Sequence, residues 1–347
     1  MASEAGFEIF DLGRNRPIGP DEIERCARLV AALAAARTPD LAFGDEEHWV
    51  TIDGRLVYGG LMPHSVGRFE PDFVRHLRLH SYIFTATHLS DILSGHHTPT
   101  WLDAVEGAFP GDWPDWSIPA FRMFRNGIPG DLALAPPLVA GEVGFDVDGV
   151  CVNRDLIALQ ERINLLFRNG VLDRLRAQAR PRILEIGGGY GGLAYFLTRI
   201  LPDARYVIVD LPSSLMFSGC YLTVAQSSHP VRVGDGTRLD DRREIELVVT
   251  TAAASLAERE FDLAINTMSF AEMAPSVVHG YGALIRACLG KTGILFEQNF
   301  SLGHVAGGHF CSPAEVLEGV FPSRLDLSGI NIWGHARLWS SAPLAQA

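Results

Sequence analysis

A glutamate, a cluster of glycines and an aspartate carry the clearest chemistry in this chain of 347 residues. Glu185 stands two places before Gly187 in ILEIGGGYGG (Ile183 to Gly192), and Asp210 ends a second apolar run, RYVIVD. Glycines at 187, 188, 189, 191 and 192 supply what recognition by backbone needs: no side chain in the way and a chain free to turn sharply. Asp210 follows Gly192 by 18 residues, close to the roughly 20 that separate such a turn from an acid that hydrogen-bonds a ribose hydroxyl. The unit is therefore a nucleotide cradle, and two ligand chemistries fit it. Gly187, Gly189 and Gly192 satisfy the GxGxxG spacing of dinucleotide sites. Glu185, at the end of its strand, would repel a pyrophosphate and suits a ligand carrying a sulfonium and an ammonium.

Regular elements must hold these groups in place. Leu193, Ala194, Phe196, Leu197 and Ile200 repeat at helical spacing, so a helix opens at the turn and aims its N-terminal amides at the ligand. From Pro181 onward strands and helices alternate. Strands are expected at 182–186, 205–210, 246–251 and 261–266, with another in ILFEQNF after a Gly290–Gly293 turn; helices are expected at 192–201, 212–226 and about 276–289. Such alternation implies a parallel, doubly wound sheet with right-handed crossovers. A short helix, Pro313 to Glu318, leads into SRLDLS and NIWGHARLW, two strands close enough in sequence to pair only antiparallel. Dinucleotide folds end in another parallel strand, so this ending again favours the sulfonium ligand.

These residues resemble a class I S-adenosylmethionine-dependent methyltransferase. Glu185, Gly187, Gly189 and Gly191 are similar to the superfamily's first motif, Asp210 matches its ribose position, and FDLAINTMSFAEM and LGKTGILF resemble its fourth-strand motif and fifth-strand turn. LEIGGGYGGLA, VIVDLP and INTMSFAEM together are most similar to the bacterial sugar O-methyltransferase family, over about Val152 to Asn299. The resemblance implies a Rossmann-like α/β sheet of seven strands with an antiparallel C-terminal strand in 151–347, a mainly helical N-terminal cap in 1–150, and S-adenosyl-L-methionine as cofactor. It implies that Glu185 and Gly187 hold the methionine portion, that Gly188, Gly189 and Gly191 form the turn beneath it, and that Asp210 and Leu211 hold the ribose. For the adenine pocket Asp235 competes with Thr250 and Thr251; Asp235 lies 26 residues before Phe261, long for one crossover, so the threonines are preferred. Asn266 and Thr267 end the fourth strand, where open α/β sheets place ligands.

Methyl transfer to a hydroxyl needs in-line placement and a base. His304 and His309, in the glycine-rich SLGHVAGGHF, and Glu272, six residues beyond Asn266, are the candidates. The N-terminal half holds His48, His64, His76, His80, His88, His96 and His97; His88, with Tyr82 and Trp116, is the candidate contact to a small-molecule substrate. His76 and His80 share a helix face at ligand-like spacing, but no third ligand follows, so no metal is expected. Transfer to nitrogen or carbon, and a non-catalytic cofactor-binding subunit, remain open.

Composition sets the outer limits. A formal charge of −12 without a dense basic run argues against a nucleic-acid partner. No apolar stretch approaches a membrane span. MASEAGFEIFDLGRNRP has no secretory h-region, and five scattered cysteines without a CxxC predict reduced thiols in a cytoplasmic protein. Ile23 to Ala34 follows helical spacing, as does Asp155 to Leu175 with Gly170 as a break. The segment Trp101 to Pro119, with three tryptophans and three prolines, is expected to be irregular. The apolar N-terminal region makes a homodimer an expectation.

Overall fold

The computed structural model describes residues 9–10, 12–36, 77–81, 113–226, 228–237, 243–300, 312–328 and 331–344. In chain order these form β1 (Ile9–Phe10), α1 (Pro20–Ala36), α2 (Leu77–Ser81), α3 (Trp113–Arg125), β2 (Gly144–Val147), β3 (Val150–Val152), α4 (Arg154–Arg168), α5 (Val171–Arg176), β4 (Arg182–Ile186), α6 (Gly192–Ile200), β5 (Arg205–Asp210), α7 (Pro212–Ala225), β6 (Val231–Gly234), β7 (Ile245–Val249), β8 (Phe261–Thr267), α8 (Pro275–Cys288), β9 (Leu289–Asn299), α9 (Pro313–Glu318), β10 (Ser323–Asp326) and β11 (His335–Ser340).

The main sheet runs β10-β11-β9-β8-β4-β5-β7-β6. Pairs from β9 to β6 are parallel, and β11 lies antiparallel between β9 and β10. From β4 the chain passes outward to β5 and on to β6 at the edge, turns back to set β7 between them, then crosses to β8 on the other side of β4. The order therefore reverses between β4 and β8, and a crevice for ligands opens at the carboxyl ends of the strands there. This is the methyltransferase variety of Rossmann-like α/β fold. Seven strands stand in the expected arrangement, and β6 adds an eighth at the outer edge.

Burial on both faces explains the near-continuous apolar strands. Ile183, Ile208, Leu263 and Phe296 point into one core with α1, α3, α4, α6 and α7, while Leu184, Val207, Ala264 and Leu295 point into the other with α8 and α9. Proline at the first turn starts α7, α8 and α9, where its missing N–H costs nothing.

Three details differ from expectation. Trp113 to Arg125 is helical: Pro114 falls in the first turn and Pro119 is exposed, while Ile118, Phe121 and Phe124 anchor one face in the core. The turn at Gly290 to Gly293 is absorbed into β9 as a register shift between Phe261 and Leu263 of β8. The N-terminal half is not purely helical, since β1, β2 and β3 form a small antiparallel sheet. It also shares its core with the rest, Cys26, Leu29, Val30 and Leu33 packing with Leu215 and Tyr221. Cys26, Cys151, Cys220 and Cys288 are free and buried. Among the described residues no helix is long and apolar enough to cross a membrane, and no cluster of metal-ligating groups occurs.

Candidate functional site

The glycine turn is fixed from both ends. Gly187 N–H donates to Val209 O at 2.9 Å and Gly191 N–H to Gly188 O at 2.9 Å. Gly187 and Gly189 have φ of +76° and +55°, which side chains rarely adopt. A Cβ on Gly187 would strike Ser269, whereas one on Gly189 would meet nothing within 4 Å. The turn thus backs onto protein at 187 and opens onto free space at 189, as a backbone cradle must.

Three carboxyls belong to the surroundings of this turn. Glu185, on β4, is 2% exposed and accepts from the Tyr206 hydroxyl at 2.9 Å. Burial pushes it up to about 7, against the pull of Tyr206 and Arg162. Asp210, ending β5, accepts from Gly189 N–H at 3.2 Å and from Leu211 N–H at 2.8 Å. It therefore shapes the turn as well as facing the cleft, and burial raises it to about 6 against those bonds. Glu272 closes a 3₁₀ turn, Ser269–Glu272, after β8. Enclosure, with the charge of Asp210, raises it to about 8. Asp210 and Glu272 both keep accessible surface while protein surrounds them, the condition of groups lining a cleft.

Because β7 lies beside β5, Thr250 follows the strand next to Asp210, and among the described residues its buried hydroxyl has no hydrogen-bond partner. Asp235 follows the outermost strand and is exposed, bonded to Thr237. Thr250 and Thr251 thus stand at the carboxyl edge next to Asp210, and Asp235 stands one strand farther out. Asn266 differs from expectation: fully buried, its Nδ2 donates to Ile186 O at 2.9 Å and Ser269 Oγ at 2.6 Å, and its Oδ1 accepts from Asn299 Nδ2 at 2.9 Å. That side chain is spent on joining β4, β8 and β9. Beyond the buried Thr267, Met268 takes a φ of +69° that swings Ser269 under the glycine turn, backbone strain of the kind that gathers at functional edges. Tyr82, His88, His304 and His309 lie outside the described residues; so does the side chain of Trp116, which itself belongs to α3.

Sequence reasoning missed the wall built by α4. Arg162 reaches the carboxyl end of β9, where its Nε donates to Gln298 Oε1 at 3.0 Å. Arg78 of α2, fully buried, donates to Glu142 and Asp155 and lies over the Tyr190 ring of the glycine turn, 3.9 Å from its centroid. The available signal was the polar run Gln160-Glu161-Arg162 inside an otherwise apolar helix face.

A glycine turn, acids ending β4 and β5, and an antiparallel final pair define the methyltransferase class of this fold. No family profile matches the chain. Among curated proteins, 108 residues are 26% identical to the ubiquinone/menaquinone biosynthesis C-methyltransferase UbiE of Dinoroseobacter shibae, spanning 31% of this chain and 38% of that protein's length. Similar solved structures include human methyltransferase-like protein 13 in complex with SAH (16% identity, 51% of this chain and 77% of that one, TM-score 0.36). Another is the sugar N-methyltransferase KedS8 of Streptoalloteichus (15% identity, 51% and 87%, TM-score 0.33).

Proposed function

We propose that the chain is an S-adenosylmethionine-dependent methyltransferase that acts on a small hydroxylated metabolite or sugar by O-methylation. The observation that carries this reading is the cradle itself: Glu185, the open face of Gly189 and Asp210 meet at the carboxyl ends of adjacent strands beside the switch point. The residues fit the cofactor. Gly189 leaves room where a side chain would intrude, Asp210 and Leu211 suit the ribose, the unpartnered Thr250 hydroxyl and Thr251 suit the adenine edge, and Glu185 offers a buried acid to an ammonium. When bound, S-adenosylmethionine supplies an electrophilic methyl group. The protein orients the acceptor, keeps water from the cleft and takes up a proton.

Glu272 supports transfer to oxygen. A carboxyl raised to about 8 holds a proton more tightly than an ordinary glutamate and is a stronger base once ionised. Its ionised fraction grows as pH rises toward 8, so a Glu272-dependent turnover rises over the same range. His304 and His309 are the other bases proposed. Transfer to carbon is the second reading, favoured by the curated relative's name.

Incubation with isotopically labelled methyl donor and host extract, followed by product mass and NMR shift, separates oxygen, nitrogen and carbon acceptors. Glu272→Gln should lower turnover and remove its rise toward pH 8; unchanged turnover in Glu272→Gln, His304→Ala and His309→Ala would exclude all three as the base. A chain that binds S-adenosylhomocysteine but methylates nothing in the extract would instead be a non-catalytic subunit.

A further inference from the structure

Among the described residues, Arg162 is a cation beside the cleft that uses little of its hydrogen-bonding capacity. It lies seven residues after Asp155 and so on the same face of α4. Its position is fixed from behind: Nε donates to Gln298, Gln298 Nε2 donates to Glu161 Oε1 at 2.6 Å, and Glu161 Oε2 accepts from Ile332 N–H at 2.9 Å. Gln298 itself pairs with Thr267 at the end of β8. A guanidinium carries five N–H groups, and among the described residues only the Nε–H of Arg162 is used. The rest of the fork is preorganised, half-exposed and enclosed enough for burial to lower its pKa. Its charge acts on Glu185, yet no ion pair joins the two among the described residues.

Among the described residues neither of these opposite charges has an ion-pair partner within contact, and each is under-solvated. One ligand group that satisfies both is a zwitterionic amino acid, and the forward face of a guanidinium matches a carboxylate bidentately. We propose that Arg162 binds the α-carboxylate of the cofactor's amino-acid portion while Glu185 faces its ammonium, the pair acting as a zwitterion clamp. This rests on the cofactor reading above.

The test compares two probes on the full chain by calorimetry: S-adenosylhomocysteine, and 5′-methylthioadenosine, which keeps the nucleoside and sulfur but lacks the amino-acid tail. Bonds between charged partners are worth about 1.5–3 kcal/mol, and 1.4 kcal/mol is about tenfold in affinity. Arg162→Gln should therefore weaken S-adenosylhomocysteine by about tenfold to a hundredfold and leave methylthioadenosine within about twofold. Arg162→Lys, which keeps the charge but not the fork, should recover part of the loss and guards against a folding defect in the first variant. If Arg162→Gln leaves S-adenosylhomocysteine unchanged, the acid that Arg162 meets belongs to another molecule, such as the acceptor, and the clamp is refuted. Equal weakening of both probes would make Arg162 merely structural and refute it too. Wild-type protein that binds neither probe would overturn the cofactor reading and the clamp with it.

Discussion

Glu185→Gln turns the electrostatics of the cleft into a measurement. With the ligand absent, Glu185 holds its proton up to about pH 7, and only its ionised form attracts an ammonium. If the ligand's charge pulls the bound carboxyl down to about 5.5, wild-type affinity for S-adenosylhomocysteine falls by about 12-fold, or about 1.5 kcal/mol, between pH 7.5 and 5.5. Asp210, raised to about 6, adds about fourfold to wild type and variant alike. The variant should therefore bind about 25-fold more weakly at pH 7.5 and come within about twofold of wild type at pH 5.5. Stability moves the other way. Folding raises this carboxyl from 4.5 to about 7, so it costs nothing below pH 4.5, costs more as pH climbs through that window, and costs about 3 kcal/mol above it. The amide can still accept from Tyr206, so the ligand-free variant should melt several degrees higher at pH 8 and unchanged at pH 4.5. Calorimetry at several pH values and thermal melts read both effects. The same pH slope in both proteins would refute the assignment of the ammonium to Glu185.

Two further outcomes follow from the geometry. Gly187→Ala must force a left-handed residue against Ser269, whereas Gly189→Ala pays only the strain of its φ, about 1 kcal/mol; urea titration should show the first distinctly less stable. Gly189→Arg should fold and lose S-adenosylhomocysteine binding, and unchanged binding would show that the glycine turn is not the site. Arg78→Met leaves Glu142 and Asp155 buried without their cation, a loss of about 3–5 kcal/mol. That loss should shrink as pH falls, because burial already raises the Glu142 carboxyl and its protonation removes one of the two uncompensated charges.

What could be read from sequence was whatever is decided locally. Strands β4 and β5 were legible to the residue because a strand buried on both faces must be a continuous apolar run, and the helices behind Pro212, Pro275 and Pro313 announced their own first turns. Trp113 to Pro119 was misread because proline's local veto was applied where one proline sits in a harmless first turn and apolar anchors hold the helix. Asn266 was placed correctly at a strand end, but which partners take up its side chain depends on Asn299 and Ser269, contacts made only after the sheet assembles. The polar run at Arg162 was visible, but not its role, since its fixing partner lies 136 residues away. The double meaning of the glycine turn also resolves here. Gly187, Gly189 and Gly192 satisfy a dinucleotide spacing, yet Asp210, Glu185 and Glu272 are pushed up to about 6, 7 and 8 around it. Burial is the first cause of all three shifts, so each carboxyl stands where its negative charge is costly. A pyrophosphate would deepen that cost at every one of them, while a ligand bearing an ammonium and a sulfonium relieves it. The spacing of the glycines admits either ligand, and the buried carboxyls around them favour the one proposed above.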